Sequence, residues 1–447
     1  MEKLTIREKL GFSVGEYAGS VVWQAFMFFL PIFYTDTFGL TAAAVSTMFL
    51  VVRLFDAAND PIMGMIADRT NTRWGKFRPY LLWFCVPYGL GTVLMFTTPN
   101  FGYTGKLIYA YITYGLMMVI YTAMMIPYNT LIGVISPDSK ERTSVASYKF
   151  VFAYAAGASL QAFVIPLVDK LGGGDQSRGY TRTMAIFGTL CIVVFIIAFL
   201  SVKERVKPDI SQKSSIKQDW KDLVQNKPWV ILAAVSVTTL IYVAIRSAVI
   251  MYYFKYYIND EKAAGPFMVT GTLAVMLGVL PTKWLSKKVG KKNLYIGSMI
   301  VVILSSAGFF IASPGDLVWI YAMQIIFSFA SGPSMPLLWS MLADAADYSE
   351  WKNSRRATGL VYSAATFSQK MGFSLGGALS MLILSLFGYV ADVPQTAESL
   401  QGIKLSLSLI PAAIAVLAVI ALLFYKLDDY RVAEIGEELA TRKLQRA

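Results

Sequence analysis

Residues 42–69 read AAAVSTMFLVVRLFDAANDPIMGMIADR. Up to Ala67 the stretch is apolar and long enough for a helix crossing a bilayer core about 30 Å thick, which takes roughly twenty residues. Yet Arg53, Asp56 and Asp60 stand inside it. A charge at the bilayer centre costs about 2.5–3.5 kcal/mol on an insertion scale, so it persists only beside a partner or a watery cavity. The stretch therefore reads as a membrane helix with one polar face.

Comparable runs lie near 12–34, 79–98, 106–135, 143–168 and 181–202, then near 229–258, 264–285, 293–313, 316–346, 356–388 and 402–425. They predict an all-α membrane protein with twelve transmembrane helices. Composition agrees: 56% of residues are hydrophobic and 15% charged, against about 25% charged in soluble domains. One water-soluble core could not hide so much apolar side chain, because cores stop growing near about 250–300 residues. The first run is too long for a signal-peptide core and is expected to stay as the first span.

The polar stretch Lys203 to Pro228 divides the runs into two sets of six. This predicts an N-terminal bundle over 1–202, a linker over 203–228, a C-terminal bundle over 229–425 and a tail over 426–447. The halves resemble one another. Arg73-Trp74-Gly75-Lys76 follows span two, and Lys288-Val289-Gly290-Lys291 follows span eight. Pro127 precedes Glu141-Arg142-Thr143, and Pro336 precedes Arg355-Arg356-Ala357-Thr358. Two pseudo-symmetric six-helix bundles are the major facilitator arrangement, with the substrate site near the midplane.

The net charge of +12 could signal nucleic acid, but the bases concentrate in alternate loops. Arg69, Arg73, Lys76, Arg78, Lys140, Arg142, Lys283, Lys287, Lys288, Lys291, Lys292, Lys352, Arg355 and Arg356 share one side, together with the linker and the tail. The positive-inside rule then places both termini in the cytoplasm, in a multi-pass protein of the cell (inner) membrane, with lipid rather than nucleic acid around it. With no histidine, and with Cys85 and Cys191 inside apolar runs, a zinc or haem site is not expected. No nucleophile–base pair or nucleotide loop supports an enzyme.

Eight charges remain at depth: Glu16, Arg53, Asp56, Asp60, Lys149, Arg246, Asp344 and Lys370. Asp56 and Asp60 are four apart and share a helical face with Asn59. Two adjacent carboxylates resist joint ionisation, so one can hold a proton. With Asn59 and the hydroxyl of Thr122 their oxygens equally suit Na⁺, which would make Asp56 and Asp60 its metal ligands. The bland alternative is that an acid pairs with Arg53. Lys149, Arg246 and Lys370 form an anion-binding set if they face one cavity; otherwise Lys149 balances Asp56 or Asp60, and Arg246 snorkels outward. Trp23, Tyr121, Tyr128, Trp339 and Tyr362 are candidates to stack on a sugar ring, although most membrane aromatics are packing. Asp344 with Arg355 or Arg356, and Asp68 and Arg69 with Arg73 to Arg78, read as gating salt bridges.

The run Arg53-Leu54-Phe55-Asp56-Ala57-Ala58-Asn59-Asp60-Pro61, with Ala67-Asp68-Arg69-Thr70 and Arg73-Trp74-Gly75-Lys76-Phe77-Arg78-Pro79, resembles the glycoside–pentoside–hexuronide:cation symporters, the melibiose-permease family. Tyr121-Thr122, Ile126-Pro127, Asp347-Tyr348-Ser349-Glu350 and Gln369-Lys370 extend the likeness over nearly the whole chain. The resemblance implies Na⁺- or H⁺-coupled sugar uptake by alternating access. It implies a cation site at positions matching Asp56, Asn59, Asp60 and Thr122. The family lysine of span eleven matches Lys370, and Lys149 replaces the arginine of span five. Family carboxylates that bind sugar fall on Ser20 and Met125, and a family tryptophan falls on Asn129. Fewer acids beside Lys149, Lys370 and Arg246 leave a net-positive pocket, so the expected substrate is an anionic or non-galactoside sugar such as a hexuronide or a pentoside. No cofactor beyond the coupling ion is expected, and the working unit is expected to be a monomer. Lysolipid symporters share the span-two pattern and stand as the alternative on the same fold.

Overall fold

The computed structural model describes residues 4–136, 139–205, 223–353 and 358–446. The described residues are almost wholly helical. The first span opens at α1 (Ile6–Ser13), where Thr5 and Glu8 close a capping box: the Thr5 hydroxyl accepts from the Glu8 amide at 3.2 Å, and the Glu8 carboxylate accepts from the Thr5 amide at 2.9 Å. α2 (Gly15–Gln24) continues it. Around Pro31, which has no amide to donate, the helix relaxes into π-helical turns over Ala25–Phe29 and Phe33–Thr37.

The first half then runs through α3 (Ala42–Arg69), α4 (Arg78–Met95), α5 (Tyr103–Ile135), α6 (Ser139–Gly172) and α7 (Gln176–Ser201). The second half begins with α8 (Lys227–Tyr252), which also ends in a π-helical turn, Tyr253–Ile258. It continues with α9 (Ala264–Val279), α10 (Thr282–Val289), α11 (Lys291–Gly308), α12 (Leu317–Ser331) and α13 (Ser334–Asn353). The last helices are α14 (Thr358–Leu386), α15 (Ala397–Leu407), α16 (Leu409–Leu423) and α17 (Asp429–Arg446).

Three runs expected to be continuous are broken helices. Pro281 stops the run expected over 264–285, and Gly332-Pro333 splits 316–346. The run over 402–425 parts at Ser408, three residues before Pro411. A break inside a bilayer frees carbonyls that water cannot reach, so protein donors must satisfy them. At Ser408 they do: the Ser306 hydroxyl donates to the Ser408 carbonyl at 2.9 Å, and the Arg246 guanidinium donates to the Leu407 carbonyl.

Among the described residues, nine helical segments are long and apolar enough to cross a membrane. α3, α4 and α14 add helices of 28, 18 and 29 residues. The chain is a multi-pass membrane protein. It divides into two compact units. The first contains Met1–Ile210, Ile250–Val269 and Met381–Ser399, so the ends of α8 and α14 pack with the first half. Within it α2 lies against α6 and α7, and α4 against α5 and α7. The second holds Ser211–Val249, Thr270–Ser380 and Leu400–Ala447, with α11 lying against α12 and α16. Its core includes Leu232, Tyr242, Tyr295, Met299, Leu338 and Leu342. α17 is fastened to it by buried Ile435 and by a 2.6 Å hydrogen bond from the Trp351 indole to Glu438.

Candidate functional site

In the first unit, α3 presents Asp56 and Asp60 one turn apart to α5. The Thr122 hydroxyl lies 2.8 Å from Asp56 Oδ1 and 3.2 Å from Asp60 Oδ1. One hydroxyl has one proton, so it serves the two carboxylates in alternation. Asp56 is buried at 3% exposure, while Asp60 and the neighbouring Asn59 keep part of their surface open. Three hard oxygens from two helices thus converge, with like charges adjacent. Oxygens of this kind are the donors a small hard cation takes. Arg53, a turn earlier, stacks its guanidinium over Trp23 at 5.0 Å, Phe26 at 5.8 Å and Tyr114 at 6.0 Å, which offsets part of its cost in a membrane.

A second polar group joins α2, α5 and α6. Lys149 Nζ lies 2.9 Å from Glu16 Oε2, donates to Asn129 Oδ1 at 2.7 Å and sits 4.5 Å from the centre of the Tyr128 ring. The described ion partner of Lys149 is therefore Glu16 rather than Asp56 or Asp60, the alternatives left by sequence. Ser20 and Trp23 follow Glu16 on the same partly exposed face of α2. Trp23 and Tyr121 approach to 5.9 Å between ring centres. Met125 is buried against Gly19, where a Cβ would fall 2.4 Å from the methionine methyl and push that flexible side chain aside.

The remaining expected substrate residues belong to the second unit. Trp339 is exposed on α13, and Lys370 partly exposed on α14. Arg246 is 3% exposed. Its guanidinium donates to the Leu407 carbonyl, to Gln324 Oε1 at 3.1 Å and to Ser306 Oγ at 3.3 Å, and lies 3.8 Å from the Phe327 ring centre. It neither snorkels outward nor stands open to a ligand in this arrangement. It braces the break between α15 and α16.

The expected gating residues are dispersed. Arg355 lies outside the described residues, as does the side chain of Asp68, and Arg69 is exposed at the last turn of α3. Arg73 stacks on Trp74 at 4.6 Å. Around them the Arg-Trp-Gly-Lys-Phe-Arg run wraps a carboxylate: Glu204 accepts the amides of Lys76, Phe77 and Arg78 at 2.9, 2.7 and 2.8 Å, at the start of α4, where the helix dipole favours an anion. Gly75 has φ +116, and a Cβ there would come within 2.4 Å of that carboxylate. Asp344 pairs with Lys291, which opens α11, where sequence had offered Arg355 or Arg356.

A further cluster escaped the sequence reading. Asp36, in the π-helical turn that ends the first span, accepts from Lys255 Nζ at 2.6 Å and from the hydroxyls of Tyr256 and Tyr389. Lys255 also reaches Asp392 at 2.9 Å, and Thr35 shares a 2.8 Å hydrogen bond with Tyr252. The Asp36 side chain is 2% exposed. Burial, with Tyr252, Asp36 and Tyr256 beside it, pushes the Tyr389 hydroxyl above the usual phenol range, so it remains a donor. The available signal was position: Asp36 falls just past the run of span one and Lys255 near the end of span seven, the first spans of the two halves.

Over 440 residues the chain is 37% identical to the putative glycoside/cation symporter YagG of Escherichia coli (strain K12), covering 98% of this chain and 96% of that one. It is 36% identical over 425 residues to the isoprimeverose transporter of Lactiplantibacillus pentosus, covering 94% and 88%. Among solved structures, an inward-facing, unoccupied bacterial homologue of the human lysosomal transporter Spinster matches with a TM-score of 0.68 at 15% identity, over 96% of this chain and 97% of that one. That likeness bears on the fold alone. Residues 11–429 match the model of a single family, and the chain belongs to it: MFS/sugar transport protein.

Proposed function

We propose that the chain is a secondary active transporter that couples Na⁺ or H⁺ entry to uptake of a sugar or glycoside by alternating access. It would cross the inner membrane twelve times, with both termini in the cytoplasm. The observation that carries this reading is the meeting of Asp56, Asp60 and Thr122 inside the first unit. A cation bound there neutralises the excess negative charge of the pair, and its entry down a 100 mV potential releases about 2.3 kcal/mol. Trp23 and Tyr121 offer ring faces of the kind that stack on pyranosides. Relatives named as a glycoside/cation symporter and an isoprimeverose transporter support the same class of cargo. On this orientation the Asp36–Lys255–Tyr389 knot is the lock on the outer end, released when the site opens outward.

Reconstituted protein tests the reading. A labelled glycoside should rise above its outside concentration when an inward Na⁺ or pH gradient is imposed, and only equilibrate without one. Equilibration alone under both gradients would reject coupling.

A further inference from the structure

Glu16 has no role in the cluster just proposed for the cation, yet its setting is costly. Its Oε2 takes the Lys149 ammonium at 2.9 Å as an ion pair. The side chain as a whole keeps 21% of its surface open. An ionised carboxylate has about four acceptor sites, so one ammonium leaves Glu16 with capacity for further donors. Ser20 and Trp23 extend the same open face of α2, and Asn129, which takes the lysine's other contact, is exposed. A carboxylate, an amide and an aromatic face gathered in one place match the hydroxyl-rich edge and apolar face of a sugar ring.

We propose that Glu16 accepts hydrogen bonds from sugar hydroxyls and sets the site for neutral glycosides over hexuronides. This deepens the symport reading and rests on it. The expectation of a positive pocket counted Lys149, Lys370 and Arg246 as open cations, and Lys370 belongs to the second unit. In the folded chain Lys149 is balanced by Glu16, and Arg246 is spent on carbonyl, amide and aromatic groups of its own unit. A uronate brought to the Lys149 group meets a fixed carboxylate of its own sign, whereas a neutral hydroxyl donates to it. Removing the charge from Glu16 leaves Lys149 as a lone cation, and the preference turns toward anions.

Counterflow in proteoliposomes reads this without any ion gradient. The probes are the methyl glycosides of glucose, galactose and xylose, set against methyl glucuronide and methyl galacturonide. Wild type should exchange at least one neutral glycoside about tenfold faster than either uronide, equivalent to about 1.4 kcal/mol. Glu16→Gln should lower that ratio by about tenfold or invert it, and Glu16→Asp should keep its sign. A merely structural role would lower both classes together and leave the ratio unmoved, which overturns the proposal. So does a uronide preferred by wild type, a result that needs no variant and leaves the symport reading standing. Absence of exchange with every glycoside, neutral or acidic, would overturn both.

Discussion

Asp36 and the pair Asp56–Asp60 are carboxylates held inside the same unit, and their surroundings are opposite. Asp36 meets an ammonium and two phenols, and its side chain is 2% exposed. The pair puts two like charges one turn apart around the hydroxyl of Thr122, with Asp60 partly open. The first arrangement is satisfied by groups of the protein itself, so it holds elements together. In the second, two like charges share one hydroxyl, and on the proposed reading a proton or cation relieves their repulsion. On that reading one residue type serves both as a fastener and as a receptor, and the difference lies in whether the described neighbour of a carboxylate is a cation or a second carboxylate.

The contrast can be broken from either side. Lys255→Met leaves Asp36 buried without its cation and should destabilise the protein by about 3–5 kcal/mol, seen as a lowered thermal midpoint in detergent. Adding Asp36→Asn should restore much of that loss, because no charge is then stranded. Tyr389→Phe removes one donor to the same carboxylate and should cost about 1.5–3 kcal/mol in the same assay. The smallest effect belongs to the open cluster: Thr122→Val should weaken the coupling cation's half-saturation about fivefold to tenfold with little change in stability, and Thr122→Ser should not. A Thr122→Val variant as destabilised as Lys255→Met would erase the distinction.

Much of this was legible in the sequence, for identifiable reasons. Asp56 and Asp60 stood out because a charge inside an apolar run is conspicuous whatever surrounds it. Thr122 was offered beside them as a hard oxygen donor and again by the likeness to known symporters, and the structure puts its hydroxyl against both. Asp36 and Lys255 fell at the ends of their runs, where a charge reads as an ordinary loop residue. Only the folded chain brings the ends of spans one, seven and eleven to one point. Glu16 was visible as a deep charge, but its partner lies four helices onward on α6, a tertiary fact. In the segment 73–79 the charged side chains suggested gating, while the folded chain uses its backbone amides to hold Glu204. Side-chain charge is written in a sequence, and amide direction is not.

The receptor role of the open cluster is tested most directly by comparing Asp60→Asn with wild type in proteoliposomes under an imposed cation gradient. The variant should exchange labelled glycoside across the membrane yet fail to concentrate it. Wild-type accumulation in Asp60→Asn, and again in Asp56→Asn, would contradict the assignment and move the coupling site elsewhere in the chain.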